Sequence, residues 1–247
     1  MFHRIIREMP PHRVYVEPFF GSGQIFWRKR RAARSIIIDK LPGLLAKAGA
    51  EAGVSVHAGD AIEQLRCFVF GDGWRLPADT LVYADPPYML STRGGRRYYE
   101  HEMTDEDHAA LLSTLTAAKF RVIISHPVCP LYLQHLRGWR CVPFKTMTRG
   151  GMKPDAIWMN YPEPTELHDW NYAGRNFRER LSLKRLASRY VARLSLMSPV
   201  KRGYILRDLA ASFPALRAAC EGPQRQNGQC PPAVISENGA VICESKP

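Results

Sequence analysis

An α/β fold built on a mostly parallel sheet is predicted by three observations. Short runs of β-branched and aromatic residues alternate with helical stretches as far as "FRVIISH" at 120–126, the pattern of successive strand–helix–strand units. Three of these runs lead to an aspartate, Asp39, Asp60 and Asp85, and the C-terminal edge of such a sheet is where ligands bind. Further on, "GWRCVPFKTMT" and "MKPDAIWMNY" flank a glycine turn. They read as an antiparallel hairpin that closes the sheet.

In chain order, "RVYVEPF" (13–19) reads as a buried strand because Val14, Tyr15 and Val16 run together. The turn "GSG" follows, and "QIFWRKRRAA" predicts the opening of a helix. "RSIIIDK" (34–40) is a second strand, and "LPGLLAKAGAEAG" is helical from Leu44 with Gly53 as its stop. "VSVHAGD" is a short third strand, "AIEQLRCFVF" a helix, "GDGWRLPAD" a loop and "TLVYAD" (80–85) the fourth strand. "TDEDHAALLSTLTAAK" carries a strong helix signal: Thr104 can cap, and acids fill the first turn.

Composition shifts near Glu163. The sequence predicts a domain over 1–162, a basic helical extension over 163–210 and a polar, mobile tail over 211–247. Hydrophobic residues make up 45% of the 247, enough for a core. No stretch reaches the roughly 18 apolar residues of a membrane span. "MFHRIIREMPPH" has neither a long apolar stretch nor a small-residue cleavage site. A soluble, cytoplasmic chain is predicted. The formal charge of +12 points to a polyanionic partner, most simply nucleic acid. Cys67, Cys129, Cys141, Cys220, Cys230 and Cys243 are scattered without a C-x-x-C pair, which argues against a zinc ribbon or a disulfide framework. His101, His126 and His168 are isolated, so no metal centre is predicted.

Two motifs carry chemistry. In "EPFFGSG" (17–23) a strand runs into a Gly-x-Gly turn, where Gly21 and Gly23 allow a tight bend and close approach to a ligand. It is not the full G-x-G-x-x-G pattern, because position 26 is Phe. Asp39 ends the next strand, where an acidic residue accepts from ribose hydroxyls. Asp60 caps the next helix, contacts an adenine edge, or does both. In "VYADPPY", Asp85 and the Pro86 carbonyl are two rigidly placed acceptors for the hydrogens of an amino group, and Tyr88 offers a flat face. The set fits an –NH₂ group on a flat heterocycle, such as adenine N6 or cytosine N4.

"VEPFFGSG" followed by "YADPPY" about 60 residues later resembles the DNA adenine methylases of the Dam type. The resemblance covers roughly residues 3–162. The segment "LHDWNYAGRNFRERLSLKRLASRYVARL" is similar to the tail of small phage-type members. It implies a Rossmann-like S-adenosylmethionine-dependent methyltransferase fold that acts on adenine N6 in double-stranded DNA, with the base flipped out. Phe19, Gly21 and Gly23 would line the methionine side of S-adenosylmethionine, with Glu17 and Pro18 beside them among the cofactor-binding residues. Asp39 would bind its ribose and Asp60 its adenine amine. Asp85, Pro86, Pro87 and Tyr88 would form the catalytic motif. Cytosine-N4 methylation, RNA adenine methylation and, from another class, a DNA-binding module with a weakened methyltransferase fold stand as alternatives. A nuclease would need clustered carboxylates that the sequence lacks.

The chain departs from the family twice. A Gly-Gly-Lys-like motif, whose lysine helps hold the cofactor, has no counterpart in "MFHRIIREMPPH". That points to a truncated or misassigned start, or to a weakened cofactor site. Larger members insert a target-recognition domain before DPPY, whereas only 61–79 separate the third and fourth strands here. Target contact is therefore sought elsewhere. One candidate is the loop 89–102, with Arg93, Arg96, Arg97, Tyr98 and Tyr99. A second is the hairpin tip, with Arg149 and Lys153. The third is 175–208, with ten Lys or Arg against two acids, and Arg178, Arg180, Lys184 and Arg185 as its leading cations. A palindromic target would suit a homodimer or successive methylation of each strand.

Overall fold

The computed structural model describes residues 1–71, 76–148 and 151–213, with the side chains of 147 and 148 left aside. Arg149, most of the 211–247 tail and three cysteines (Cys220, Cys230, Cys243) lie outside the described residues. The elements run α1 (Phe2–Arg7), β1 (Val14–Glu17), β2 (Arg34–Asp39), α2 (Pro42–Gly49), β3 (Val54–Ala58), α3 (Ala61–Phe70) and β4 (Thr80–Ala84). They continue with α4 (Asp105–Thr116), β5 (Arg121–Ser125), α5 (Pro130–His135), β6 (Arg140–Thr148), β7 (Gly151–Met159), α6 (Phe177–Ser195) and α7 (Pro199–Ser212). The chain forms two compact units, Met1–Ala187 and Ser188–Pro247.

The first unit holds one seven-stranded sheet in the order β3-β2-β1-β4-β5-β7-β6. β3, β2, β1, β4 and β5 pair in parallel, and β7 joins antiparallel to both β5 and β6. The central strands are buried on both faces, as parallel strands flanked by helices are. Alternation divides their side chains between two cores. Val16, Ile36, Ile38, Val82, Val122 and Ile124 pack with Leu65, Leu111, Leu112 and Leu115 of α3 and α4. Tyr15, Ile37, Leu81, Tyr83 and Ile123 pack on the other face with Ile5, Ile6, Leu45, Phe20 and Phe26.

Local chemistry sets the element ends. The Asp60 carboxylate accepts from Ile62 N and Glu63 N and starts α3. Thr104 and Asp107 form a reciprocal capping box that starts α4. α1 goes beyond the sequence expectation, although Phe2, Ile5, Ile6 and Met9 repeat at helical spacing. It buries Ile5 and Ile6 completely.

One expected helix is absent. Residues 24–29 of "QIFWRKRRAA" form consecutive turns, with Trp27 N donating to Gly23 O and Lys29 N to Ile25 O. Tertiary contacts win over propensity here. Ile25, Phe26 and Lys29 are all buried, and the Asp169 carboxylate takes the Arg30 N–H that a helix would need.

The proline-rich connection that starts near Glu163 is fastened to the core. His168 N donates to Met9 O, the His168 ring stacks on His12 at 3.7 Å, and Tyr172 Oη donates to Arg28 O. α6 has no buried residue and carries its cations in the open. In the second unit neither the end of α6 nor α7 has a buried residue, and Tyr190, Val191, Val200 and Tyr204 face solvent. Among the described residues no helix is long and apolar enough to cross a membrane.

Candidate active site

β4 is buried along its whole length and lies between β1 and β5 at the centre of the sheet. Its run of apolar side chains ends at Ala84, so Asp85 emerges at the C-terminal edge. Pro86 and Pro87 cannot donate to a ladder and stop the strand there. The Asp85 carboxyl is pushed up to about 7, chiefly by burial and further by the Asp155 charge, while the facing Tyr83 hydroxyl opposes the rise.

Tyr88 is held from both ends. Its hydroxyl donates to Asp155 Oδ2 at 2.9 Å, and its ring meets His126 edge-on at 5.2 Å. His126 in turn fixes the backbone of the motif. Its Nε2 accepts from Met89 N at 3.1 Å, and its Nδ1 donates to Pro127 O at 2.8 Å. The two bonds assign one tautomer. Burial holds His126 down to about 3, so the ring is neutral around pH 7. It stacks on Tyr132 at 3.8 Å, and Tyr132 Oη bonds His108 Nδ1 at 3.0 Å. None of these histidines faces solvent; they are a rigid backing.

Two cavities meet at Asp85. The smaller, about 180 Å³, is lined by Pro18, Phe19, Gly21, Asp39, Lys40, Leu41, Asp60 and Ile62, and by Pro87 and Tyr99 on its other side. Asp39 anchors its floor: Oδ2 accepts from Gly21 N at 2.8 Å and Oδ1 from Leu41 N at 2.9 Å. Gly21 has φ +51°, and a side chain added there would meet nothing within 4 Å. The backbone is thus bare on that side. Asp60 is a helix cap and an ion-pair partner of Lys40 at 2.9 Å; these bonds hold its carboxyl below the usual range against the cost of burial.

The larger cavity, about 980 Å³, is lined by Asp85, Tyr88, Arg93, Arg96, Tyr98, Tyr99, Pro127, Thr146, Lys153 and Asp155, among others. Asp85 and Tyr99 line both cavities. Within the loop, Arg93 is buried rather than presented outward. Its Nε donates to Tyr88 O at 2.7 Å, and its Nη1 to Arg96 O and to Glu102. A second contact from Nη2 to Glu102 completes a bidentate pair. Glu102 Oε1 also accepts from Tyr98 N and Tyr99 N. Arg93 first of all, with those N–H groups, holds the Glu102 carboxyl down to about 2.

The structure brings together Pro18, Phe19, Gly21, Asp39 and Asp60 on one side of Asp85, and Tyr88, Arg96, Tyr98 and Lys153 on the other. It does not bring Glu17 or Gly23 to the cavity. Glu17 is 2% exposed, accepts from Tyr15 Oη at 2.7 Å, and is raised to about 8 by burial. Gly23 instead allows the tight packing of Phe20 and Trp27, whose rings fill the place of a side chain. Pro86 and Arg97 line neither cavity, and Arg178, Arg180, Lys184 and Arg185, on α6, are in neither lining. Sequence reading did not single out Asp155 or Thr146. The only signal was a carboxylate in an otherwise apolar strand end, "PDAIWM".

The sheet order, with β7 as the one antiparallel strand between β5 and β6, makes this a Rossmann-like, mostly parallel α/β fold. Solved structures match this chain in part. They include a SAM-dependent methyltransferase from Archaeoglobus fulgidus, at 16% identity and TM-score 0.43 over 64% of this chain and 90% of that one. The N-methyltransferase NodS from Bradyrhizobium japonicum WM9 matches at 11% identity and TM-score 0.43, over 65% and 93%. The 23S rRNA methyltransferase ErmE matches at 12% identity and TM-score 0.42, over 74% and 81%. No family model matches the chain, and no curated protein does.

Proposed function

We propose that the protein methylates adenine N6 in duplex DNA, with S-adenosylmethionine as donor. The observation that carries this reading is the position of Asp85, a common wall between a small cavity at the Gly-x-Gly turn and a larger, basic and aromatic one.

The small cavity fits the donor in kind. Asp39 has lone pairs to spare for ribose hydroxyls beyond its two backbone bonds. Phe19 and the bare backbone at Gly21 would take the methionine side, and Asp60 the adenine amine. Bound there, S-adenosylmethionine supplies an electrophilic methyl group. Everything else falls to the protein. Asp85 accepts an amine hydrogen of the target base, which helps free a lone pair otherwise delocalised into the ring; Pro86, which lines neither cavity, is assigned no contact with it. Tyr88 stacks on the base, and the larger cavity shields it from water. Orientation then provides much of the rate.

Arg96, Tyr98 and Lys153 line the larger cavity and suit phosphate and base contacts. Arg178, Arg180, Lys184 and Arg185 form no ion pair among the described residues. As part of a basic extension over 163–210, they supply phosphate affinity without sequence information. Replacing these four with alanine should weaken DNA binding at every sequence and flatten its salt dependence; an unchanged salt slope would remove α6 from the interface.

The decisive experiment incubates the protein with labelled S-adenosylmethionine and mixed-sequence duplex DNA, single-stranded DNA and RNA in parallel, then digests to nucleosides. N6-methyladenine from duplex DNA is the expected product. N4-methylcytosine, or label confined to RNA, would replace the reading. No transfer despite donor binding would end it.

A further inference from the structure

We propose that Asp155 is a positioning residue for this site. It holds the Tyr88 ring through its hydroxyl and, as the better hydrogen-bonded of the two carboxyls lining one cavity, makes Asp85 a stronger proton acceptor. The inference rests on the proposed methyl transfer to an aromatic amine and adds to it a fate for the proton.

The need is set by the chemistry. When the amine lone pair forms a bond to the donor's methyl carbon, the carbon–sulfur bond would break with its electron pair left on sulfur, and the nitrogen would carry one hydrogen too many. An N–H bond must break, its electron pair staying on nitrogen, and the proton must pass to a base. Asp85 is the acceptor at hand. An ordinary aspartate is a poor base around pH 7, and proton transfer is most effective when the acceptor's pKa lies near the working pH.

Asp155 faces Asp85 from β7 across the larger cavity. Each neighbour bonded to its carboxyl is a donor. Tyr88 Oη reaches Oδ2 at 2.9 Å, Thr146 Oγ1 reaches Oδ2 at 3.3 Å, and Ala156 N reaches Oδ1 at 2.9 Å. Burial raises the Asp155 carboxyl, and these three donors oppose that rise and favour its acceptor form. Among the described residues Asp85 has no such set, and the Tyr83 hydroxyl faces it from its own strand. Two facing carboxyls with unequal support divide the roles. The better-supported one ionises first, and its charge opposes ionisation of the other.

Other groups around Asp85 do not account for the same effect. Glu17 and Tyr15 face it from β1, Tyr88 and Tyr99 from the loop, and Tyr132 from α5. The tyrosines are held protonated by burial, and Glu17 is itself raised to about 8, so none brings a full negative charge at pH 7. Asp155 is faced by the Met1 amino group as well as by its hydrogen-bond donors, and Arg96 and Lys153 share its cavity.

The test is a carbon-13 carboxyl NMR titration of aspartate-labelled protein without ligands, with signals assigned through Asp85→Asn and Asp155→Asn. In the unmodified protein each of the two signals should titrate in two mirrored steps. In Asp155→Asn the Asp85 midpoint should fall by about one pH unit or more, and Asp155→Glu should restore most of it. An unmoved Asp85 midpoint in an Asp155→Asn protein with the parental melting curve overturns the proposal. If that variant does not fold, single, independent steps in the unmodified protein overturn it equally. These readouts need no catalysis, so a failure to find methyl transfer leaves them standing. Where transfer is found, the acid limb of kcat/KM against pH should move down with the Asp85 midpoint in Asp155→Asn. A limb that stays in place refutes the proton-acceptor role.

Discussion

β1 and β4 lie side by side and end alike: an apolar run, a carboxylate, then proline, "VYVEPFF" beside "LVYADPPY". Burial raises both carboxyls, Glu17 to about 8 and Asp85 to about 7. Their surroundings are opposite. Glu17 is sealed in the core with the Tyr15 hydroxyl on it and the Lys29 ammonium nearby, whereas Asp85 walls two cavities. Register explains the difference. Val16 pairs with Val82, so Glu17 falls level with Tyr83, two residues short of Asp85. The same local pattern yields a structural acid when it stops inside the sheet and a ligand-facing one when it clears the edge.

The largest expected effect breaks the pair apart at function. Asp85→Ala should abolish methyl transfer, a loss of at least about 10²–10³-fold, while nucleic-acid binding persists. Glu17→Gln should keep most of the activity. Equal losses in the two variants, measured as kcat/KM, would erase the distinction between the two carboxyls. Next comes stability. Glu17→Ala leaves the Tyr15 hydroxyl buried without its acceptor and should cost about 1–3 kcal/mol in denaturant unfolding. Glu17→Gln retains an acceptor and should cost less.

The smallest effect sharpens the comparison through pH. Asp85 is raised in the folded state, so between its ordinary value near 3.8 and about 7 the folded protein binds more protons than the unfolded chain. Stability from this group therefore falls as pH rises through that window. Asp85→Asn removes the cost. It should match the parent at pH 4 and exceed it at pH 8, by on the order of 1–2 kcal/mol once its solvent-facing side is discounted. Thermal melts at the two pH values measure this, and an equal gain at both would contradict the assignment.

Much of this arrangement was legible in the sequence because strand ends are. Apolar runs stop where a carboxylate and a breaker stop them, so β1, β2, β4 and β5 and the β6–β7 hairpin could be read off "VYVEP", "SIIID", "LVYADPP", "RVIISH" and the glycine turn. Helices held by tertiary contacts could not. The turns at 24–29 exist because Asp169, far along the chain, takes the Arg30 N–H, and no local periodicity encodes that. For the same reason Glu17 read as a cavity residue: a motif gives the order of residues but not how far each clears the sheet. Asp155 was silent because its role depends on pairing β7 against β5, which brings a hairpin carboxylate round to a motif 67 residues earlier.

Arg93 ties the loop 96–102 to the carbonyl of Tyr88 and to Glu102 with one guanidinium. The motif and the loop beside it are therefore one mechanical piece, not a frame with an exchangeable part. A loop grafted from another protein to redirect target choice would have to bring its own Arg–Glu clasp. Without one, a change of specificity would also loosen the ring on which the target base is proposed to stack.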